Sequence, residues 1–197
     1  MSQLIEALRA TLQDRPARTV HRPDGTTEAA VALLLRATPS LELLLIHRAE
    51  MAGDPWSGHI AFPGGRRESA DSTLLETALR ESDEELGANV SRLGRPLGAL
   101  HEMAPSARRL PSIVIAPFVV AVPPDLRLRP DPREVQEAFW APVADLRAEA
   151  SATEIVHGTG PEARTFPAIR HGRHTVWGLT LGALWGLFDA LDAAAGG

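Results

Sequence analysis

The stretch "AFPGGRRESADSTLLETALRESDEELGA", from Ala61 to Ala88, decides how the rest of the chain is read. It begins as a short strand, turns at Pro63-Gly64-Gly65, and then changes period. From Ser72 onward, Leu75, Ala78 or Leu79, Ser82 and Leu86 recur at helical spacing, and Gly87 stands where a helix ends on a left-handed residue. Away from that stripe lie Glu81, Glu84 and Glu85. Residues four apart share a helix face, so Glu81 and Glu85 project together, with Glu84 beside them. Like charges at this spacing repel, and a hard divalent cation held by carboxylate oxygens and shared with substrate phosphates would offset the repulsion. A plain solvated acidic face is the competing reading. The glycine pair before the helix, the apolar stripe and the glycine stop favour a strand–loop–helix that presents carboxylates. Gly64 and Gly65 let the loop turn tightly and bring backbone carbonyls near the same cation. Arg80 can pair with the carboxylates and hold their rotamers.

Working outward, "EAAVALLLRA" (Glu28 to Ala37) is a continuous apolar run, as expected of a strand covered on both faces. "LELLLIHRA" reads as a second strand, and "HIAFPGG" as a short third. Leu93 to Met103, Ile113 to Val122 and "EVQEAFWAP" are further strands, and "VADLRAE" is a short helix. "ATEIVHG" and "RTFPAIRHG" are short extended pieces. A short N-terminal helix is expected over about residues 2–13, a loop and helix over 64–88, and a buried C-terminal helix over 176–192. Trp140, Trp177 and Trp185 are expected in the core, and Trp56 over a loop or against a base. The pattern predicts one α/β domain over residues 1–197, a mixed β-sheet between helices in an α/β/α sandwich.

Bulk properties narrow the function. A net charge of -5 gives no global basic field, so nucleic acid is not an expected partner. With no cysteine, disulfides and cysteine metal sites are excluded. The N-terminus lacks the basic-then-apolar order of a secretory signal, and "VWGLTLGALWGLF" falls short of the roughly 20 residues that span a bilayer. A cytoplasmic protein without a membrane role is therefore expected, and a homodimer is compatible on general grounds. His171 and His174 in "RHGRHTVW" have no evident third ligand and read as a turn between strand and helix.

"GG…RESDEELGA" resembles the box of the Nudix family, Arg-Glu-apolar-x-Glu-Glu-x-Gly-apolar, with Arg80 to Ala88 in register. Ser82 replaces an apolar residue. The spacing from the glycine pair to Arg80 is one residue longer than the consensus, so that Asp71 or Glu68 stands for the box's upstream glutamate. The longer form is similar to that of the family's coenzyme A pyrophosphatase branch. "LLIHRAE" and "SGHIAFPGGRRE" also resemble that branch's signature at Leu44, Leu45, Arg48, Ala49, Gly58, Phe62, Pro63, Gly64 and Gly65. Asp54 stands where that signature expects an arginine.

The resemblance implies metal-dependent hydrolysis of the pyrophosphate of a nucleoside diphosphate derivative, with Mg²⁺ or Mn²⁺ as cofactor and a small nucleotide as partner. Coenzyme A or its thioesters would give 3',5'-ADP and (acyl-)phosphopantetheine. ADP-ribose, NADH and a non-catalytic nucleotide sensor are the alternatives. On this reading Glu81 and Glu85 hold the metal with the Gly64 carbonyl. Glu84 is a further ligand or the general base, and Arg80 belongs to the catalytic group. Arg48, Gly65, Arg66, Arg67, Arg108 and Arg109 are the candidates for binding the substrate, since arginine forks match phosphate oxygens. Glu134 and Glu137 could supply a late carboxylate.

Overall fold

Two aliphatic runs far apart in the chain form the centre of the sheet. In the computed structural model, which describes residues 2–54, 56–105, 112–158, 160 and 163–196, they are β1 (Thr27–Ala37) and β6 (Ile113–Val122). The two pair in parallel from Thr27–Ile113 to Arg36–Val122. β2 (Leu41–Arg48) runs antiparallel to β1, and β3 (Ile60–Ala61) to β2. β4 (Gly64–Arg66) pairs with β1, β5 (Arg95–Ala99) with β6, and β7 (Val135–Pro142) with β2. These strands make one seven-stranded mixed sheet.

Alternation along the strands sends side chains into two cores. Leu33 and Leu35 of β1, with Leu43 and Leu45 of β2, meet α1 (Ser2–Asp14) and α5 (Gly178–Ala195) through Leu8, Leu12, Leu184 and Leu187. Ala32 and Leu34, with Leu44 and Ile46, meet α2 (Leu74–Leu86) through Ala78 and Leu86. Each fully buried leucine contributes about 2 kcal/mol from its apolar surface. The expected α/β/α sandwich is what the chain forms.

Beyond β7, α4 (Val143–Arg147) is the expected short helix. It leads to a second, three-stranded sheet of β8 (Ala152–His157), β9 (Arg164–His171) and β10 (His174–Trp177). Here the expected helical span of 176–192 needs correction. Val176 and Trp177 pair with Ile169 and Ala168 as strand, Gly178 turns the chain at φ 63°, and the helix runs on to Ala195. Trp185 faces outward and is 48% exposed, contrary to the core position expected of it. The expected strand from Leu93 to Met103 is also shorter. Leu93 ends α3 (Val90–Leu93), whose first N–H groups donate to the Asp83 carboxylate, and only Arg95–Ala99 is continuous strand. Met103 rejoins by a single bridge to Ile115. Among the described residues, no helix is long and apolar enough to cross a membrane.

Candidate active site

Helix α2 starts on a reciprocal cap. The Thr73 hydroxyl accepts from the Glu76 N–H at 3.2 Å, and the Glu76 carboxylate accepts from the Thr73 N–H at 3.3 Å. It stops at Gly87, φ 54°. These ends fix the register in which Glu81 and Glu85 face β4. The Gly64 N–H donates to Glu85 Oε2 at 2.9 Å. Gly65 leaves room for the other carboxylate: a Cβ there would lie 2.4 Å from Glu81 Cδ and Oε2. The glycine pair thus accommodates one box glutamate with a backbone donor and the other with an absent side chain.

Both carboxyl groups sit above the usual carboxylate pKa. Burial is the main cause for Glu85, which is 1% exposed and pushed up to about 8. The Gly64 N–H and Arg48 act against burial, while Glu81 and Glu134 act with it. Glu81 is raised by burial first, with Glu84 and Glu134 adding to the effect against Arg80. Carboxyl oxygens gathered where burial and mutual repulsion disfavour the ionised form are a donor set that a hard divalent cation fits, since the cation would offset that cost. Glu81 and Glu85 would hold it.

Arg80 ties the loop to the helix. Its Nε and Nη2 each reach an oxygen of Asp71 at 3.0 Å. Its Nη1 donates to Glu84 Oε2 at 3.0 Å, and its Nη2 also meets the Arg66 carbonyl at 3.1 Å and Glu81 Oε1 at 3.0 Å. Asp71 further accepts from the Glu68 N–H and the Thr77 hydroxyl. The Arg80 fork and these donors hold the Asp71 carboxyl well below the usual carboxylate range. Of the two acids the sequence leaves open, Asp71 therefore receives Arg80, and Glu68 contributes its N–H to Asp71. Glu84 stays mostly exposed, with its carboxylate steered by Arg80.

Arg48 closes the site from β2. Its Nη2 donates to Asp54 at 2.9 Å, and its Nη1 lies 3.6 Å from Glu85 Oε1. Its buried Nε has no partner among the described residues. The acid that departs from the branch signature is thus the ion-pair partner of Arg48, one of the candidates for phosphate. Sequence reasoning noted Asp54 but not this pairing.

The remaining candidates are spread out. Arg66 lies on β4 with an exposed side chain. Arg67 is engaged by the Glu28 carboxylate and by the Asp71 and Ser72 carbonyls, which makes it a brace for the loop. Arg108 and Arg109 lie outside the described residues. Glu134 makes its charge felt at both Glu81 and Glu85. Glu137 instead meets Arg173 at 2.6 Å and His174 at 3.2 Å.

The profile of the family described as NUDIX domain matches residues 26–158. The chain belongs to the Nudix family and is a Nudix pyrophosphohydrolase. It is 33% identical over 175 residues to the mitochondrial coenzyme A diphosphatase NUDT8 of Mus musculus, across 87% of this chain and 80% of that protein. It is 29% identical over 181 residues to the uncharacterized Nudix hydrolase NudL of Photorhabdus laumondii, across 91% of each. The crystal structure of a MutT/nudix family protein from Enterococcus faecalis superposes with a TM-score of 0.62, covering 91% of this chain and 66% of that chain at 16% identity. That likeness bears on the fold alone.

Proposed function

We propose that the chain hydrolyses the pyrophosphate bond of coenzyme A or its thioesters, giving 3',5'-ADP and (acyl-)phosphopantetheine, with Mg²⁺ or Mn²⁺ held by Glu81 and Glu85. The observation that carries the metal-dependent chemistry is the pair of half-buried and buried carboxylates raised together against the Gly64-Gly65 turn. The likeness to a coenzyme A diphosphatase supports the choice of substrate.

When bound, the cation would neutralise phosphate charge and lower the pKa of a water molecule. The chain's own residues do the rest. Arg80 orients Glu84, whose exposed carboxylate takes the proton of the attacking water. The water oxygen bonds to phosphorus as the bridging phosphorus–oxygen bond breaks. The Gly64 carbonyl is a further candidate ligand. Arg48, Gly65, Arg66, Arg67, Arg108 and Arg109 are the candidates for the phosphate groups. Because Asp54 already engages Arg48, ADP-ribose or NADH is the second reading of the substrate.

The test is mass-spectrometric product analysis with coenzyme A, acetyl-coenzyme A, ADP-ribose and NADH, in Mg²⁺ or Mn²⁺ and in chelator, with Glu85→Gln beside the wild type. The expected result is 3',5'-ADP from coenzyme A, abolished by chelator and by Glu85→Gln. Turnover of another substrate alone would move the assignment to that substrate. Nucleotide binding without turnover in either metal would overturn the hydrolase reading in favour of a sensor.

A further inference from the structure

On the sheet face opposite the box, a second set of ligand-bearing side chains comes together. His47 of β2 and Glu137 of β7 are cross-strand partners, immediately before an irregularity between His47 and Arg48. The hairpin of β9 and β10 brings His174 against them. Ligand atoms of His47, Glu137 and His174 all lie within 4.8 Å of one another, and His174 Nε2 is 3.2 Å from Glu137 Oε2. All three side chains are partly buried. A cleft of about 590 Å³, lined by these residues with Gln136 and Arg173, opens beside them.

The surroundings hold the rings in place. His47 Nε2 is 3.1 Å from the Gly58 carbonyl oxygen, which can only accept. Nε2 therefore carries the proton, and in the neutral ring the lone pair is on Nδ1, the backbone-anchored tautomer common among metal-binding histidines. Phe139 stacks on the His174 ring at 4.3 Å with 12° between planes. Glu137 Oε2 is also 2.6 Å from Arg173 Nη2, but the Arg173 side chain is 77% exposed and free to swing aside. Arg173 thus supplies the positive partner that a cation would replace.

We propose that His47, Glu137 and His174 form a second divalent-metal site, of the zinc class, on the opposite side of the sheet from Glu81 and Glu85. Two imidazoles and one carboxylate suit Zn²⁺, Co²⁺ or Ni²⁺ and, facing a cleft, leave coordination positions for solvent or ligand. The box set is all oxygen and suits Mg²⁺ or Mn²⁺. The two sites therefore differ in metal preference. They are also separated by the sheet: the alternation that places Leu43 and Leu45 in one core and Leu44 and Ile46 in the other carries His47, before the irregularity, to the face opposite α2. Arg48 reaches Glu85, and His47 reaches His174.

The experiment is calorimetric titration of the full chain, stripped with chelator, using Zn²⁺ in the presence of excess Mg²⁺. Visible absorption of bound Co²⁺ serves as the reporter of nitrogen ligation. A single zinc equivalent is expected to survive Glu81→Gln with Glu85→Gln. His174→Ala and His47→Ala should each weaken it by at least about tenfold. Arg173→Ala should bind zinc as tightly as the wild type or more tightly, and it keeps all three ligands should a histidine variant fail to fold. Zinc binding that is lost with the box glutamates, is unchanged in both histidine variants, or is weakened in Arg173→Ala overturns the proposal.

Discussion

Adjacent glycines in the box loop should respond to the same substitution in opposite ways. In Gly65→Ala the new Cβ would sit 2.4 Å from the Glu81 carboxylate, the far end of a flexible side chain. Carbon contacts are comfortable from about 3.5 Å, so the carboxylate must retreat by about 1 Å. The backbone of Gly65 has no positive φ, and the protein should fold with a Tm within about 4 °C of wild type. A displacement of that size at a catalytic group costs about 100-fold in rate. In Gly64→Ala the Cβ would fall 2.2 Å from the Ala30 carbonyl oxygen and 2.6 Å from Val31 Cα, at φ 150°. Backbone cannot yield as a side chain does, and the cost should be about 3 kcal/mol or more in stability, lowering Tm by roughly 6–12 °C. The assay pairs scanning fluorimetry with kcat/KM on whichever substrate the product analysis identifies. A Gly65→Ala enzyme within about threefold of wild type, while Glu81→Gln is inactive, would refute the claim that Gly65 sets the position of Glu81.

A second prediction concerns pH. Glu85 is raised from 4.5 to about 8, so the fold retains a proton that the unfolded chain has released. Its contribution to metal-free stability should therefore fall as pH rises from about 4.5 to about 8. His59 and His174, lowered chiefly by burial, act in the opposite direction, so the readout is the wild-type minus Glu85→Gln difference in Tm in chelator. A difference that does not change across that window would contradict the assignment. Gly87→Ala places a Cβ 2.5 Å from the Arg129 carbonyl oxygen at φ 54°, and should cost about 1–3 kcal/mol in urea unfolding. No loss would show that the helix end shifts freely. Arg48→Ala removes the cation between Asp54 and Glu85 and should lower kcat/KM by about 100-fold. Unchanged kinetics would remove Arg48 from the site.

Much of the fold was legible because its signals are local. An apolar run buried on both faces announces β1, and a change of period that stops at a glycine announces α2. Val176 and Trp177 were not legible in this way. Hydropathy is continuous across the junction of β10 and α5, and only pairing with β9 separates strand from helix. Trp185 was misplaced for the same reason, since α5 is apolar on more than the face it buries. The i, i+4 spacing brings Glu81 and Glu85 together without help from the rest of the chain. The counterpart of the box's upstream glutamate stays open between Asp71 and Glu68 in the sequence, because a loop one residue longer has no local rule that says which acid turns inward. The partners of Arg48 and His47 depend on a loop path and on a strand register, and neither is written in any short stretch.

The parallel pairing of β1 with β6 has a consequence for the order in which the molecule assembles. β1 lies near the beginning of the chain, but its longest partner ends at Val122. During synthesis, β1, β2 and α2 leave the ribosome with one edge of the future sheet open and its aliphatic residues uncovered. Closing that edge requires a long-range contact, which is entropically slow to form. The opposite face waits longer still, since α1 packs against α5, at the far end of the sequence. The nascent chain is therefore most exposed to aggregation before β6 emerges, and that interval is where a holding chaperone would have its greatest effect on yield.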